Sequence, residues 1–122
     1  MIGLRGVDPA RLPDQMAISA LTLAELSRGP AVATEDALRA LRQQRLQLAE
    51  AAFEALDFDS ACARAYGRVC AAVVAVGRKA GRTRAIDLMI AATALANELP
   101  LLTLDPDDVR GLEDLIRVID LS

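Results

Sequence analysis

The stretch RAIDLMIAATALANELPLLT, Arg84 to Thr103, decides the fold. It reads as a helix, a tight break and a buried strand. Asp87 is the only carboxylate near its start, and Leu88, Met89, Ile90, Ala91, Ala92, Ala94, Leu95 and Ala96 come after it. A helix that is apolar nearly all round lies inside a protein rather than on its surface. A charge at the mouth of such a helix is costly without a partner. The first helical turn nevertheless favours an anion, because its free amide groups and the helix dipole are positive there. Two explanations of Asp87 therefore stand side by side: it stabilises its helix, or it belongs to a carboxylate cluster that binds a cation.

The composition narrows the rest. A chain of 122 residues makes one domain with a proper core, so we treat 1–122 as a single unit. Apolar residues are 53 % and aromatics 2 %, so Leu, Ala, Val and Ile must build that core. The net charge of −3 repels nucleic acid overall, and any contact with it must come from a local basic patch or bound cations. The chain has no His, which excludes His-based nucleophilic triads and the commonest transition-metal ligand. Cys62 and Cys70 fall on one expected helix, with backbones about 12 Å apart, too far for a disulfide. They read as small buried residues in a reducing compartment. No signal peptide is visible and no apolar run reaches the roughly 20 residues of a membrane span. These features point to a cytoplasmic protein.

Outward from the central stretch, the chain alternates strands and helices. Residues 1–15 read as a loop or short helical lead-in, punctuated by Gly3, Gly6, Pro9 and Pro13. Met16 to Ile18 is a short strand, and Ser19 is an N-cap for a helix that stops at Gly29 and Pro30. Thr34 caps a second helix running to about Phe53, with Leu38, Leu41, Leu46 and Leu48 at helical spacing. Leu56 to Phe58 reads as a strand. Asp59 caps a third helix from about Ser60 to Ala80, weakened by Gly77 and ended by Gly81. The central helix spans Arg84 to Glu98, and the strand after it Pro100 to Leu104. Asp105 to Asp108 form a turn with a short helical piece, and Val118 and Ile119 lie in a last strand. Strands separated by helices imply an α/β fold with a mainly parallel sheet.

Parallel sheets of this kind bind ligands beyond the carboxyl ends of their strands. Acids from distant parts of the chain fall there: Glu25 after the first strand, Asp105, Asp107 and Asp108 after the strand ending at Leu104, and Asp87 at the central helix. Carboxylates brought together raise one another's pKa unless a cation neutralises them. An all-oxygen set suits Mg²⁺ or Mn²⁺, and a bound metal permits phosphodiester hydrolysis without His. The alternative is a polar turn that caps a short helix together with a solvated Glu25. Arg78, Lys79, Arg82 and Arg84 cluster just before Asp87. They read either as cations at a helix C-terminus or as a phosphate-holding patch beside the acids. Tyr66 reads as a packing residue. No Gly-rich strand-to-helix turn exists, which argues against a P-loop or dinucleotide enzyme.

Three pieces carry a resemblance. They are ISALTLAEL from Ile18 to Leu26, the run from Gly77 through RTRAIDLMIAATA, Arg82 to Ala94, and LLTLDPDDVRGL from Leu101 to Leu112. Together they resemble the PIN-domain ribonuclease toxins of bacterial VapBC toxin–antitoxin modules, over nearly the whole chain from Met16 on. The resemblance implies a PIN-like α/β fold: a parallel sheet of about four to five strands flanked by helices on both faces. It implies a toxin that is a Mg²⁺- or Mn²⁺-dependent endoribonuclease acting on tRNA or rRNA, a homodimer, and a cognate VapB-like antitoxin. By motif, Glu25, Asp87 and Asp105 match the catalytic acids, and Asp108 joins them as a metal ligand. Thr103 matches a hydroxyl that lines the site. Arg78, Arg82, Arg84 and Ser19 fall on the substrate side.

One departure qualifies the resemblance. Members begin with a strand carrying a first catalytic Asp, whereas Met1 to Gly6 here resembles the segment after that strand. Asp8 lies too late, in a Pro-containing loop, to take the role. The expectation is a sheet whose central slot is unfilled, exposing two strand edges that invite pairing with another chain, and an incomplete acid set with impaired activity. The competing expectation for function is a catalytically incomplete PIN domain that binds antitoxin or RNA.

Overall fold

The structure is a computed structural model that describes residues 17–78, 80–81, 84–103 and 106–120. The expected lead-in 1–15, with Asp8, and the start of the first strand at Met16 lie outside these residues. In chain order the elements are β1 (Ala17–Ser19), α1 (Ala20–Val32), α2 (Asp36–Ala52), β2 (Glu54–Leu56), α3 (Ser60–Ala75), α4 (Ala85–Ala96), β3 (Leu101–Thr103), a 3₁₀ turn (Pro106–Val109) and β4 (Val118–Asp120).

Helix α4 is the buried helix that its sequence predicts. Leu88, Ile90, Ala91, Ala92, Thr93 and Ala94 are all buried. The one polar side chain among them is satisfied: Thr93 Oγ1 donates to Met89 O at 2.9 Å. Helix α3 lies against α4 along the seam Cys62, Ala65, Val69 and Val73, spaced three and four apart as one helix face requires. Asp59 starts α3 by accepting the Cys62 N–H at 3.0 Å. That bond holds the Asp59 carboxyl below its usual range. Cys62 sits in the core with its thiol pushed up by burial, and both cysteines are free. Tyr66 packs against the same core, one turn from Cys70.

Strand β1 pairs with β2, and β3 with β4, both in parallel. Side chains alternate across these pairs, so each strand feeds two layers. Leu101, Val118 and Leu56 face the cluster built on α3 and α4. Ile18, Leu102 and Ile119 share a second cluster with Ala49 and Phe53 of the α2 end and Leu23 and Leu26 of α1. Helices thus cover both faces, and the expected α/β architecture is present. Among the described residues the sheet falls into two halves, with β1 and β3 each paired along one edge only.

Element boundaries differ from the sequence expectations in four places, each for a physical reason. Helix α1 continues through Gly29 and Pro30 to Val32. Proline in the last turn removes one N–H donor but leaves the later carbonyls free, and α2 supplies their donors: Arg42 Nη1 donates to Gly29 O and Arg39 Nη2 to Ala33 O, each at 2.9 Å. Helix α2 is capped by Glu35, without a side-chain bond, rather than by Thr34. Strand β2 falls at Glu54–Leu56, two residues earlier than expected, because its register places Leu56 opposite Ser19. Helix α3 ends at Ala75 rather than Ala80, since Gly77 adopts φ +77° and closes it.

Leu88 is 1 % exposed at the centre of the α3–α4 core. Leu88→Ala is expected to cost about 3 kcal/mol, read as a lower urea midpoint with an unchanged slope. A loss below about 0.5 kcal/mol would contradict the central place given to α4.

Candidate metal centre at the α4 N-terminus

Asp87 lies in the first turn of α4 and is exposed, with Leu88 directly behind it in the core. Arg84 is the N-cap residue and provides no side-chain cap bond, and Asp87 is the acid in the first turn, where the helix dipole favours an anion. Helix α1 touches α4 and starts at the end of β1, with Glu25 in its second turn. Glu25 is exposed. Strand β3 ends at Thr103 and the chain enters the 3₁₀ turn Pro106–Val109, which contains Asp107 and Asp108.

The other expected site residues are distributed around this region. Ser19 is fully buried, and its Oγ accepts the Leu21 N–H at 3.0 Å, capping α1. Arg84 is half-buried, and its backbone N–H donates to Gly81 O at 3.0 Å. Arg78 is engaged with Asp107: its Nη1 donates to Asp107 O at 2.7 Å and lies 3.2 Å from Oδ1. Asp105, Arg82 and Lys79 lie outside the described residues. Among the described residues no three acids, cysteines or histidines converge closely enough to hold a metal.

Two features escaped the sequence. Thr22 is 4 % exposed, and among the described residues its buried Oγ1 has no hydrogen-bond partner. It stands one turn before Glu25 on α1, where positions three apart are neighbours. A buried hydroxyl left unpaired calls for a water, ion or side chain beside it. The sequence signal was there, a lone Thr between Leu21 and Leu23, but composition alone reads it as helix filler. The second is Asp107, which looked like one of several turn acids and is instead the partner of Arg78.

The donor set fits a hard divalent cation. Glu25, Asp87 and the turn acids offer only oxygen, both cysteines belong to α3 and its core, and the chain has no His.

Comparison with known proteins bears on this arrangement. The family model described as PIN domain matches residues 7–112. The chain belongs to the PIN-domain family. It is 39 % identical to Ribonuclease VapC5 of Mycobacterium tuberculosis, over 93 % of this chain and 84 % of that protein. In fold it matches the crystal structure of VapBC-5 from Mycobacterium tuberculosis with a TM-score of 0.80 and 33 % identity, covering 97 % of this chain and 91 % of the other. It also matches DNA-bound VapBC from Salmonella typhimurium with a TM-score of 0.65 and 27 % identity, covering 86 % and 74 %. No helix among the described residues of this PIN domain is long and apolar enough to cross a membrane.

Because the Asp87 carboxylate is exposed, it can be neutralised without disturbing the core. Asp87→Asn is expected to lower stability by no more than about 1 kcal/mol, the first-turn dipole contribution, measured by urea unfolding. A loss of several kcal/mol would show a structural role for the carboxylate instead.

Proposed function

We propose that this PIN domain is a VapC-type ribonuclease toxin whose activity depends on Mg²⁺ or Mn²⁺. The observation that carries the reading is Asp87: an exposed carboxylate at the first turn of an otherwise buried helix, in a family whose relative here is named a ribonuclease. Glu25 and Asp87 would hold the cation, with Asp105 and Asp108 contributed by the turn after β3. When bound, such a cation acidifies water and polarises a phosphoryl oxygen. The chain's own residues position the reactants. The rigid α4 fixes Asp87, and α1 fixes Glu25 and the buried Thr22 hydroxyl behind it. Arg84 and Arg82 would hold RNA phosphates against the overall charge of −3, with Thr103 at the site's edge. The substrate class proposed is tRNA or rRNA.

The partner proposed is a VapB-like antitoxin, since matching structures are VapBC complexes. Leu41 and Leu48, two turns apart on α2, are 46 % and 54 % exposed, and Val32 at the end of α1 is 46 % exposed. This apolar surface suits an amphipathic helix. A homodimer is also proposed.

A second reading has its own support. Leu41, Leu48 and Val32 are exposed apolar side chains, which suits a domain that binds an antitoxin without cutting RNA. Calorimetry with Mn²⁺ and RNA cleavage separate the two. The nuclease reading expects Mn²⁺ binding, Mn²⁺-dependent cleavage, and a loss of at least about 100-fold in rate for Asp87→Asn, the scale of removing one electrostatic catalytic group. Cleavage by Asp87→Asn at the parent rate would refute the metal centre. RNA or antitoxin binding without Mn²⁺ binding or cleavage would establish the second reading.

A further inference from the structure

The last turn of α3 is built to hold another part of the chain. Gly77 takes φ +77°, its N–H donates to Val74 O at 2.9 Å, and the Arg78 N–H donates to Val73 O at 3.1 Å. These paired bonds form the Schellman closure, and only a residue free to adopt positive φ makes it without strain. The closure fixes the Arg78 backbone. From there the guanidinium reaches Asp107 twice, donating from Nη1 to the backbone carbonyl at 2.7 Å and from Nη2 to Oδ2 at 3.4 Å. The Arg78 side chain is only 25 % exposed, against 65 % for Asp107. A planar fork bonded to both carbonyl and carboxylate fixes orientation as well as distance.

A second anchor lies four residues on. Gly111 has φ +95°, and a Cβ there would sit 2.7 Å from Val76 Cγ2 and 3.1 Å from Ala72 O. The segment therefore approaches the end of α3 closely enough at Gly111 that an added side chain would force Val76 to shift and crowd the Ala72 carbonyl. Between the anchors the Arg110 N–H donates to Asp107 O at 3.3 Å, and just past them the Leu112 N–H donates to Val109 O at 3.0 Å. Arg78 and Gly111 thus hold the segment Asp107–Gly111 at both ends.

We propose that Arg78 is a positioning residue, which clamps the acidic turn after β3 onto the C-terminal end of α3 and does not itself bind RNA phosphate. The proposal rests on the nuclease reading for its catalytic consequence, while the clamp is testable without it. Arg78→Met keeps the apolar stem and removes the fork; Arg78→Lys keeps the charge and loses the two-pronged geometry. Hydrogen exchange on the full chain is expected to show the Arg110 and Leu112 amides at least tenfold faster in Arg78→Met, with Arg78→Lys intermediate. Exchange at Ala91 and Ala92 is expected to stay at the parent rate. Mn²⁺ affinity is expected to fall several-fold, and RNA cleavage to lose kcat with KM unchanged. Unchanged exchange at Arg110 and Leu112 would overturn the clamp. A raised KM with unchanged kcat would overturn the assignment in favour of RNA contact. Should Arg78→Met unfold, exchange in Arg78→Lys decides. A parent chain that neither binds Mn²⁺ nor cuts RNA would refute the nuclease reading, and the exchange result would still decide the clamp.

Discussion

The close packing of α4 into the interior is the constraint on which the rest depends. Ala91, Ala92 and Ala94 are at most 1 % exposed. Small side chains let neighbouring elements approach closely, so each van der Waals contact is made at short range. Helix α3 answers with its own small buried seam of Cys62, Ala65, Val69 and Val73. With almost no aromatic residues available, the core gains its density from interdigitated aliphatics rather than from large rings. A polar residue inside α4 is tolerated only when it bonds within the helix, as Thr93 does.

The same constraint sets the chemistry. A helix this apolar can present a charge only at an end, and Asp87 occupies the N-terminal one, where the dipole favours an anion. Its backbone is anchored by Leu88, buried in the core immediately behind it. Sites placed on rigid elements hold their geometry better than sites on loops. The acidic turn after β3 has no such helix of its own, being a four-residue 3₁₀ segment. Its order has to come from elsewhere, and Arg78 and Gly111 connect it to α3. The N-terminal end of α4 and the turn after β3 are therefore supported differently, one by a buried helix and one by contacts of Arg78 with Asp107.

Much of this was legible in the chain because it depends on local patterns. The apolar run after Asp87 and the Asp59 cap each report a nearest-neighbour preference, and α4 and the start of α3 appear where those patterns put them. What was not legible depends on long-range pairing. The carbonyls at the end of α1 are satisfied by Arg39 and Arg42 from another helix, so Pro30 did not stop α1 where its local signal said. Arg78 read as one of a basic group until its partner, 29 residues away, was in view. Ser19 shows the converse: its local role as a cap is the one its geometry displays. The carboxylates are the hardest case, since spacing can place Glu25 and Asp87 on neighbouring elements but cannot fix how their oxygens converge.

The most direct test of the metal centre is anomalous scattering at the manganese edge from crystals of this chain equilibrated with Mn²⁺. A nuclease centre at the N-terminal mouth of α4 predicts an ion bound there by the carboxylate oxygens of Asp87 and Glu25. An ion bound elsewhere, or none at saturating Mn²⁺, would contradict it, leaving Asp87 as a helix-stabilising charge and the domain as a binding module.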